Sequence, residues 1–325
     1  MSFDERTRRE RNPRTSGCSR WAQYAQFHPD LRRLAAVLPR EILGPRRLPV
    51  LRRLSAMAPP LSDAVVRDLG DGVTVRQFGN AGTASDPAPA LLWMHGGGYV
   101  IGSAAQDDRW CRRLAQRAGI RVVSVDYRLA PEFPHPTPVL DCYRGLSWMA
   151  EQPHLDPNRL IIAGASAGGG LTAALALHAR DLGIVHPILQ LMIYPMLDDR
   201  LLVEQGACYR IWGPRSNAFG WARFMGDADP GDAVPARRRD LHELPRAWIG
   251  VGSRDLLCEQ DVRYHEALRA AGTPSELAVF DGAFHGFDVF ARRTSIASRF
   301  EQEVLAAIRT ALSRAGGDGA TELRD

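Results

Sequence analysis

The chain has 325 residues, 45% hydrophobic and 24% charged, enough apolar material for a large core and too little charge for wholesale disorder. The formal charge is +4, and all 41 basic side chains are arginine. The absence of lysine excludes Schiff-base chemistry and a lysine-bearing phosphate loop, and the arginine runs at 6–14 and 237–239 lack the interleaved aromatics of a nucleic-acid site.

Residues 1–18 are polar and arginine-rich and read as a disordered arm. They lack the apolar core of a signal peptide, and no stretch of the chain has the length of a membrane span, so a cytoplasmic protein is expected. The five cysteines, Cys18, Cys111, Cys142, Cys208 and Cys258, are odd in number and widely spaced. That pattern predicts free thiols, with neither a metal site nor a disulfide framework.

From Ala22 to Ala58 the pattern is helical, with Leu31, Leu34 and Leu38, then Leu48, Leu51 and Leu54, at helical spacing before Pro59-Pro60. Residues 19–60 are therefore expected to form an N-terminal helical cap segment. Two short strands follow around Gly70-Asp71-Gly72, a hairpin signal.

From Ala90 onward, short apolar runs alternate with amphipathic stretches. The runs are 91–94, 122–125, 160–163, 188–193, 247–251 and 277–280. Helix-length segments at about 107–118, 138–151, 168–182 and 259–271 separate most of them, and a last helix is expected near 294–314. Continuous apolar strands in repeated βα order predict a mostly parallel central sheet flanked by helices, an α/β fold. About fifty residues separate Ile193 from Ala247, too many for a simple crossover. This interval holds Trp212, Phe219, Trp221 and Phe224, whose spacing suits either a pocket wall or core packing. The expected division is a catalytic domain at 61–198 and 240–315, a cap insertion at 199–239 and a flexible tail at 316–325.

Gly164-Ala165-Ser166-Ala167-Gly168 lies between a predicted strand and a predicted helix. In that context Gly-x-Ser-x-Gly forms a sharp turn that presents Ser166 as a nucleophile at a helix N-terminus. Upstream, His95-Gly96-Gly97-Gly98-Tyr99 follows a strand directly. A glycine run lets backbone amides face a tetrahedral oxyanion, so the N–H groups of Gly97, Gly98 and Ala167 are the expected oxyanion hole. His95 is expected to organise that loop by local hydrogen bonding.

The base and acid should follow Ser166 in the order carboxylate, then histidine. His178 and His265 fall in helical stretches, whereas His285 sits in a glycine-rich loop after the last strand. Asp255 lies just past the preceding strand and is the expected partner of His285. Glu259 and Asp261 fall in the next helix, and Asp281 and Asp288 read as loop or turn residues.

With these segments in hand, the chain resembles the hormone-sensitive-lipase family of α/β-hydrolases, the bacterial carboxylesterases. The resemblance rests on His95-Gly96-Gly97-Gly98, on Asp126-Tyr127-Arg128-Leu129-Ala130-Pro131-Glu132, on the Ser166 turn and on Asp255 with His285-Gly286-Phe287, and it spans about residues 63 to 312. It implies an α/β-hydrolase fold with a helical cap. It also implies hydrolysis of small acyl esters with short acyl chains through a Ser-His-Asp triad and an acyl-enzyme, without cofactor or metal. A homodimer is compatible with it. Two departures stand out. Ala165 occupies a position that is usually acidic in the family, and Asp255-Leu256-Leu257-Cys258-Glu259 replaces the usual Asp-Pro-Leu-Arg-Asp. Amidase, lactonase or acyltransferase chemistry would use the same residues. A non-catalytic receptor on the same scaffold would be marked by loss of the histidine, and His285 is present. Tyr127, Arg128 and Glu132, like Asp198-Asp199-Arg200, are expected to brace loops through charged hydrogen bonds.

Overall fold

The computed structural model describes residues 24–56, 61, 63–79, 82–201 and 207–318. The arm expected at 1–18, with Cys18, the Pro59-Pro60 stop and the tail beyond 318 lie outside the described residues.

Eight strands form one sheet in the order β1-β2-β4-β3-β5-β6-β7-β8. They are β1 Val65–Asp68, β2 Thr74–Phe78, β3 Ala88–Met94, β4 Arg121–Asp126, β5 Leu155–Ala165, β6 Leu189–Ile193, β7 Arg246–Gly252 and β8 Ser275–Phe280. The hairpin β1-β2 and the β2-β4 pair are antiparallel, and every later pair is parallel. The apolar runs are the central strands. Leu91, Trp93, Val122 and Ile161 serve one face, while Leu92, Met94, Val123 and Ile162 serve the other.

The helices are α1 Arg32–Val37, α2 Leu48–Ala56, α3 Asp108–Ala118, α4 Thr137–Ala150, α5 Ala167–Leu182, α6 Pro214–Met225, α7 Pro230–Ala233, α8 Cys258–Ala270, α9 Phe287–Phe290 and α10 Ser295–Asp318. Cys142 and Leu146 of α4, Leu171 and Leu175 of α5 and Leu268 of α8 join one core. Leu114 of α3 and Phe300, Val304 and Ile308 of α10 join the other, together with Phe27 and Leu31. No helix among the described residues is long and apolar enough to cross a membrane. Cys111, Cys142, Cys208 and Cys258 are free thiols.

The N-terminal stretch differs from the single helical run expected between Ala22 and Ala58. A 3-10 turn at Pro29–Leu31 leads into α1, and α2 begins only at Leu48. Leu38 turns extended before Pro39, and Gly44-Pro45 keeps the chain from resuming a helix. Proline lacks the N–H a helix needs and biases the preceding residue toward extended backbone. The intervening segment packs against the 207–225 region instead. Ile211 N–H donates to the Pro39 carbonyl, and the Glu41 carboxylate accepts from Ser216 N and Oγ at 2.9 and 2.8 Å. Leu43 and Trp212 both border Gly98.

Candidate active site

Ser166 sits at the turn from β5 into α5 with φ 56° and ψ −117°. Its amide donates to Ile193 O at 2.9 Å and its carbonyl accepts from Met196 N at 3.0 Å, so the neighbouring strand end fixes the turn. A β-carbon at Gly168 would collide with the Met94 carbonyl, which is why glycine stands there.

The loops after β7 and β8 are stitched together. Ser253 N donates to Phe280 O at 2.9 Å and Arg254 N to Ala283 O at 2.8 Å. This brings Asp255 beside His285. His285 Nδ1 lies 2.8 Å from Asp255 Oδ2, and its Nε2 lies 3.0 Å from Ser166 Oγ. Asp255 Oδ1 accepts from Leu257 N at 3.0 Å, which orients the carboxylate. All three side chains are nearly excluded from solvent, at 6%, 4% and 5% exposure for Ser166, Asp255 and His285. That burial strengthens the pairing by lowering the local dielectric.

Glu259 and Asp261 lie within α8 and do not bond His285. His178 contacts Tyr143 edge-on, His265 bonds Ser275 Oγ at 2.8 Å, and His186 and His242 are exposed.

The glycine loop runs from β3 alongside Ser166. Gly97 and Gly98 have φ of 130° and 60°, conformations that strain any side-chain-bearing residue. Among the described residues neither amide donates to a protein acceptor, and Ala167 opens α5, where helix geometry leaves the first N–H groups unpaired. His95 organises this loop: Nδ1 lies 2.8 Å from Gly96 O, and the ring stacks on Tyr127 at 4.2 Å. Burial holds the His95 imidazole below its ordinary pKa and so neutral, against the pull of Asp126 3.9 Å away.

The bracing expected of the charged motifs is also in place. Tyr127 OH donates to His95 O at 2.8 Å, Arg128 forks onto Asp141 at 2.9 and 2.7 Å, and Arg52 forks onto Glu132 at 2.6 and 2.8 Å. Arg200 binds Asp198, and Arg237 binds Asp199 at 2.7 Å.

Ser166, His285 and the glycine loop open into a cavity of about 570 Å³, walled by Trp93, Tyr194, Trp212, Asp107 and Asp288 among others. Trp212 thus serves the pocket, whereas Trp221 and Phe224 pack on Tyr99 and Phe219 joins the same core. Tyr194, at φ 33°, lays its ring 4.7 Å from that of His285.

Of the two acids read as loop residues, Asp281 is one, accepting from Ser253 Oγ at 3.0 Å. Asp288 is not: it lies in α9, accepts from Tyr194 OH at 2.9 Å and faces the cavity. Asp107 and Tyr194 carry no motif signal in the sequence; only the closeness of Asp288 to His285 hinted at this wall. Among the described residues no group of three or more His, Cys, Asp or Glu side chains could hold a metal ion.

Residues 91–289 match a family described as alpha/beta hydrolase fold. Esterase LipI of Mycobacterium tuberculosis is 37% identical over 235 residues, 69% of this chain and 73% of that one. Ethyl acetate hydrolase of Pseudomonas putida is 36% identical over 219 residues, 62% of this chain and 68% of that one. The crystal structure of esterase LipW from Mycobacterium marinum superposes with a TM-score of 0.79 at 30% identity, covering 89% of this chain and 97% of that one.

Proposed function

The chain belongs to the α/β-hydrolase family, in its hormone-sensitive-lipase-like branch, and on that premise we propose that it is a serine carboxylesterase acting on esters of short acyl chains. The observation that carries this reading is the continuous chain Ser166 Oγ to His285 Nε2 and His285 Nδ1 to Asp255, at 3.0 and 2.8 Å. It is supported by relatives named as esterases and, for the small acyl group, by one named ethyl acetate hydrolase.

His285 takes the Ser166 proton as Oγ attacks the ester carbonyl, and Asp255 stabilises the resulting imidazolium. The N–H groups of Gly97, Gly98 and Ala167 receive the oxyanion. His285 then protonates the departing alcohol. A water activated by the same imidazole attacks the acyl-enzyme and releases the acid. In this reading the cap is formed by the segments expected at 19–60 and 199–239, whose Ile42, Ile211 and Trp212 line the cavity.

Wild type and Ser166→Ala are compared on p-nitrophenyl acetate and butyrate. The variant is expected to lose roughly a thousandfold or more in kcat while keeping its thermal melt. Undiminished turnover would refute the assignment. In an acyl series from acetate to palmitate, turnover is expected to fall more than about tenfold beyond short chains, because one cavity must hold both acyl and alcohol parts.

A further inference from the structure

The cavity that contains Ser166 has a wall the acyl-transfer steps do not use. It is built from Trp93 at the end of β3, Tyr194 just past β6, Asp107 in the turn before α3 and Asp288 in α9. Asp107 Oδ2 accepts from Trp93 Nε1 at 2.8 Å, and Asp288 Oδ1 accepts from Tyr194 OH at 2.9 Å. Each carboxylate is thus fixed by an aromatic side chain that itself lines the cavity.

Several partly or fully buried acids elsewhere in this arginine-rich chain hold arginines, Asp108 with Arg76, Asp141 with Arg128, Asp199 with Arg237 and Glu301 with Arg113, while Asp261 in α8 is buried among the described residues without a partner. Among the described residues no arginine pairs with Asp107 or Asp288. Arg109 and Arg292 also line the cavity but are exposed to solvent, which screens them, and Arg113 is committed to Glu301. Burial, then the proximity of Asp288, pushes the Asp107 carboxyl up to about 6, and burial raises Asp288 as well. A cation in the cavity that both acids line would lower both costs.

The wall also has a defined side. Tyr194 packs on His285 and donates to Asp288, so Asp288 stands on the imidazole side of the cavity. His285 must deliver a proton to the leaving alcohol oxygen, and groups beside it face the alcohol part of the ester. Trp93, Tyr194 and Trp212 line this cavity, and Trp110, in the same wall, already carries the Arg113 guanidinium 5.1 Å from its ring centroid. Aromatic faces attract ammonium groups through the ring quadrupole.

We propose that Asp107 and Asp288, framed by Trp93 and Tyr194, form an ammonium subsite that makes the protein prefer esters whose alcohol carries a cationic amine. The inference rests on the serine esterase reading for its substrate and on the cavity wall for its chemistry. The site is the substrate cavity itself, and the acids set which alcohol it takes.

The test compares two esters of the same shape, acetylcholine and 3,3-dimethylbutyl acetate, which differ by a quaternary nitrogen in place of carbon. The ratio of their kcat/KM values is expected to exceed about tenfold in favour of the cation in wild type, in line with cation–aromatic and ionic attraction in a desolvated site. It should fall at least about fivefold in Asp107→Asn and in Asp288→Asn, and approach one in the double variant. A wild-type ratio near or below one, or a ratio unmoved in the double variant, overturns the proposal.

Should the variants fail to fold, inhibition of wild type decides. Choline should inhibit at least about tenfold better than 3,3-dimethylbutan-1-ol, and equal inhibition overturns the subsite. If wild type hydrolyses neither ester nor any p-nitrophenyl ester, the esterase reading fails instead. Calorimetric binding of choline against 3,3-dimethylbutan-1-ol then decides the subsite alone.

Discussion

Ser166 is held at φ 56°, a region closed to most side chains, and the strain is sustained by hydrogen bonds to Ile193 and Met196 on the neighbouring strand end. The proposed acyl transfer gives the strain a role: the turn sets Oγ 3.0 Å from His285 Nε2 with the α5 N-terminus behind it. Gly97 shows the same economy in the opposite loop, since a β-carbon there would collide with the Ile101 carbonyl. Gly97→Ala should therefore shift the amide and lower kcat on p-nitrophenyl butyrate about 100-fold or more, with KM little changed, as steady-state kinetics would read. An equal loss in KM alone would mean that the loop binds substrate without stabilising an oxyanion. At this scale the sequence was most informative where a residue type is forced: glycine beside the serine, histidine in a glycine-rich loop. It was silent on Asp107, because an aspartate before a helix has the same local signature whether it caps, braces or faces a cavity.

The elements follow from hydrophobic pattern wherever a strand is buried on both faces. β4, β6 and β7 appear within a residue or two of the apolar runs that announced them. β3 and β5 begin earlier than their apolar runs, at Ala88 and Leu155, because pairing between strands extends them into mixed sequence. The N-terminal helices are shorter than the leucine spacing predicts, since that spacing continues through Pro39 and Gly44-Pro45 while the helical backbone cannot. One ion pair ties elements of opposite kind. Arg76 of β2 forks onto Asp108 at the start of α3 at 2.7 and 2.5 Å, and Asp108 is 2% exposed. Arg76→Met would leave that carboxylate buried and uncompensated. The expected cost is about 3–5 kcal/mol in denaturant melts, with the activity of the surviving folded protein retained.

At the scale of the molecule, the cavity wall carries a stability cost that depends on pH. Asp107 has a folded pKa of about 6 against an ordinary 3.8, so between those values the folded protein holds a proton that the unfolded chain has lost. Stability contributed by this group therefore falls as pH rises through that window, and the full cost is present above it. Asp107→Asn is expected to be more stable than wild type at pH 7.5 by about 1–3 kcal/mol, with the difference closing near pH 4, as paired urea melts would show. A variant less stable than wild type at both values would mean that the carboxylate is structural. Asp107 and Asp288 line the cavity that holds Ser166, and the proposed ammonium subsite gives a reason for retaining acids there at a cost in stability.

What the sequence by itself determined is what local backbone chemistry dictates. It set the parallel βα order, the strained serine turn, the glycine loop, and the succession of Ser166, Asp255 and His285 at the ends of different strands. Apolar runs and glycines act over a few residues, so their meaning survives without coordinates. Tertiary structure decided the contact distances among Ser166, His285 and Asp255, that Trp212 faces the cavity while Trp221 and Phe224 fill the core, and that Tyr194, Asp107 and Asp288 share one wall. Those groups come from separate stretches of chain, and their proximity follows only from how the sheet twists and how the loops after its strands close over one another.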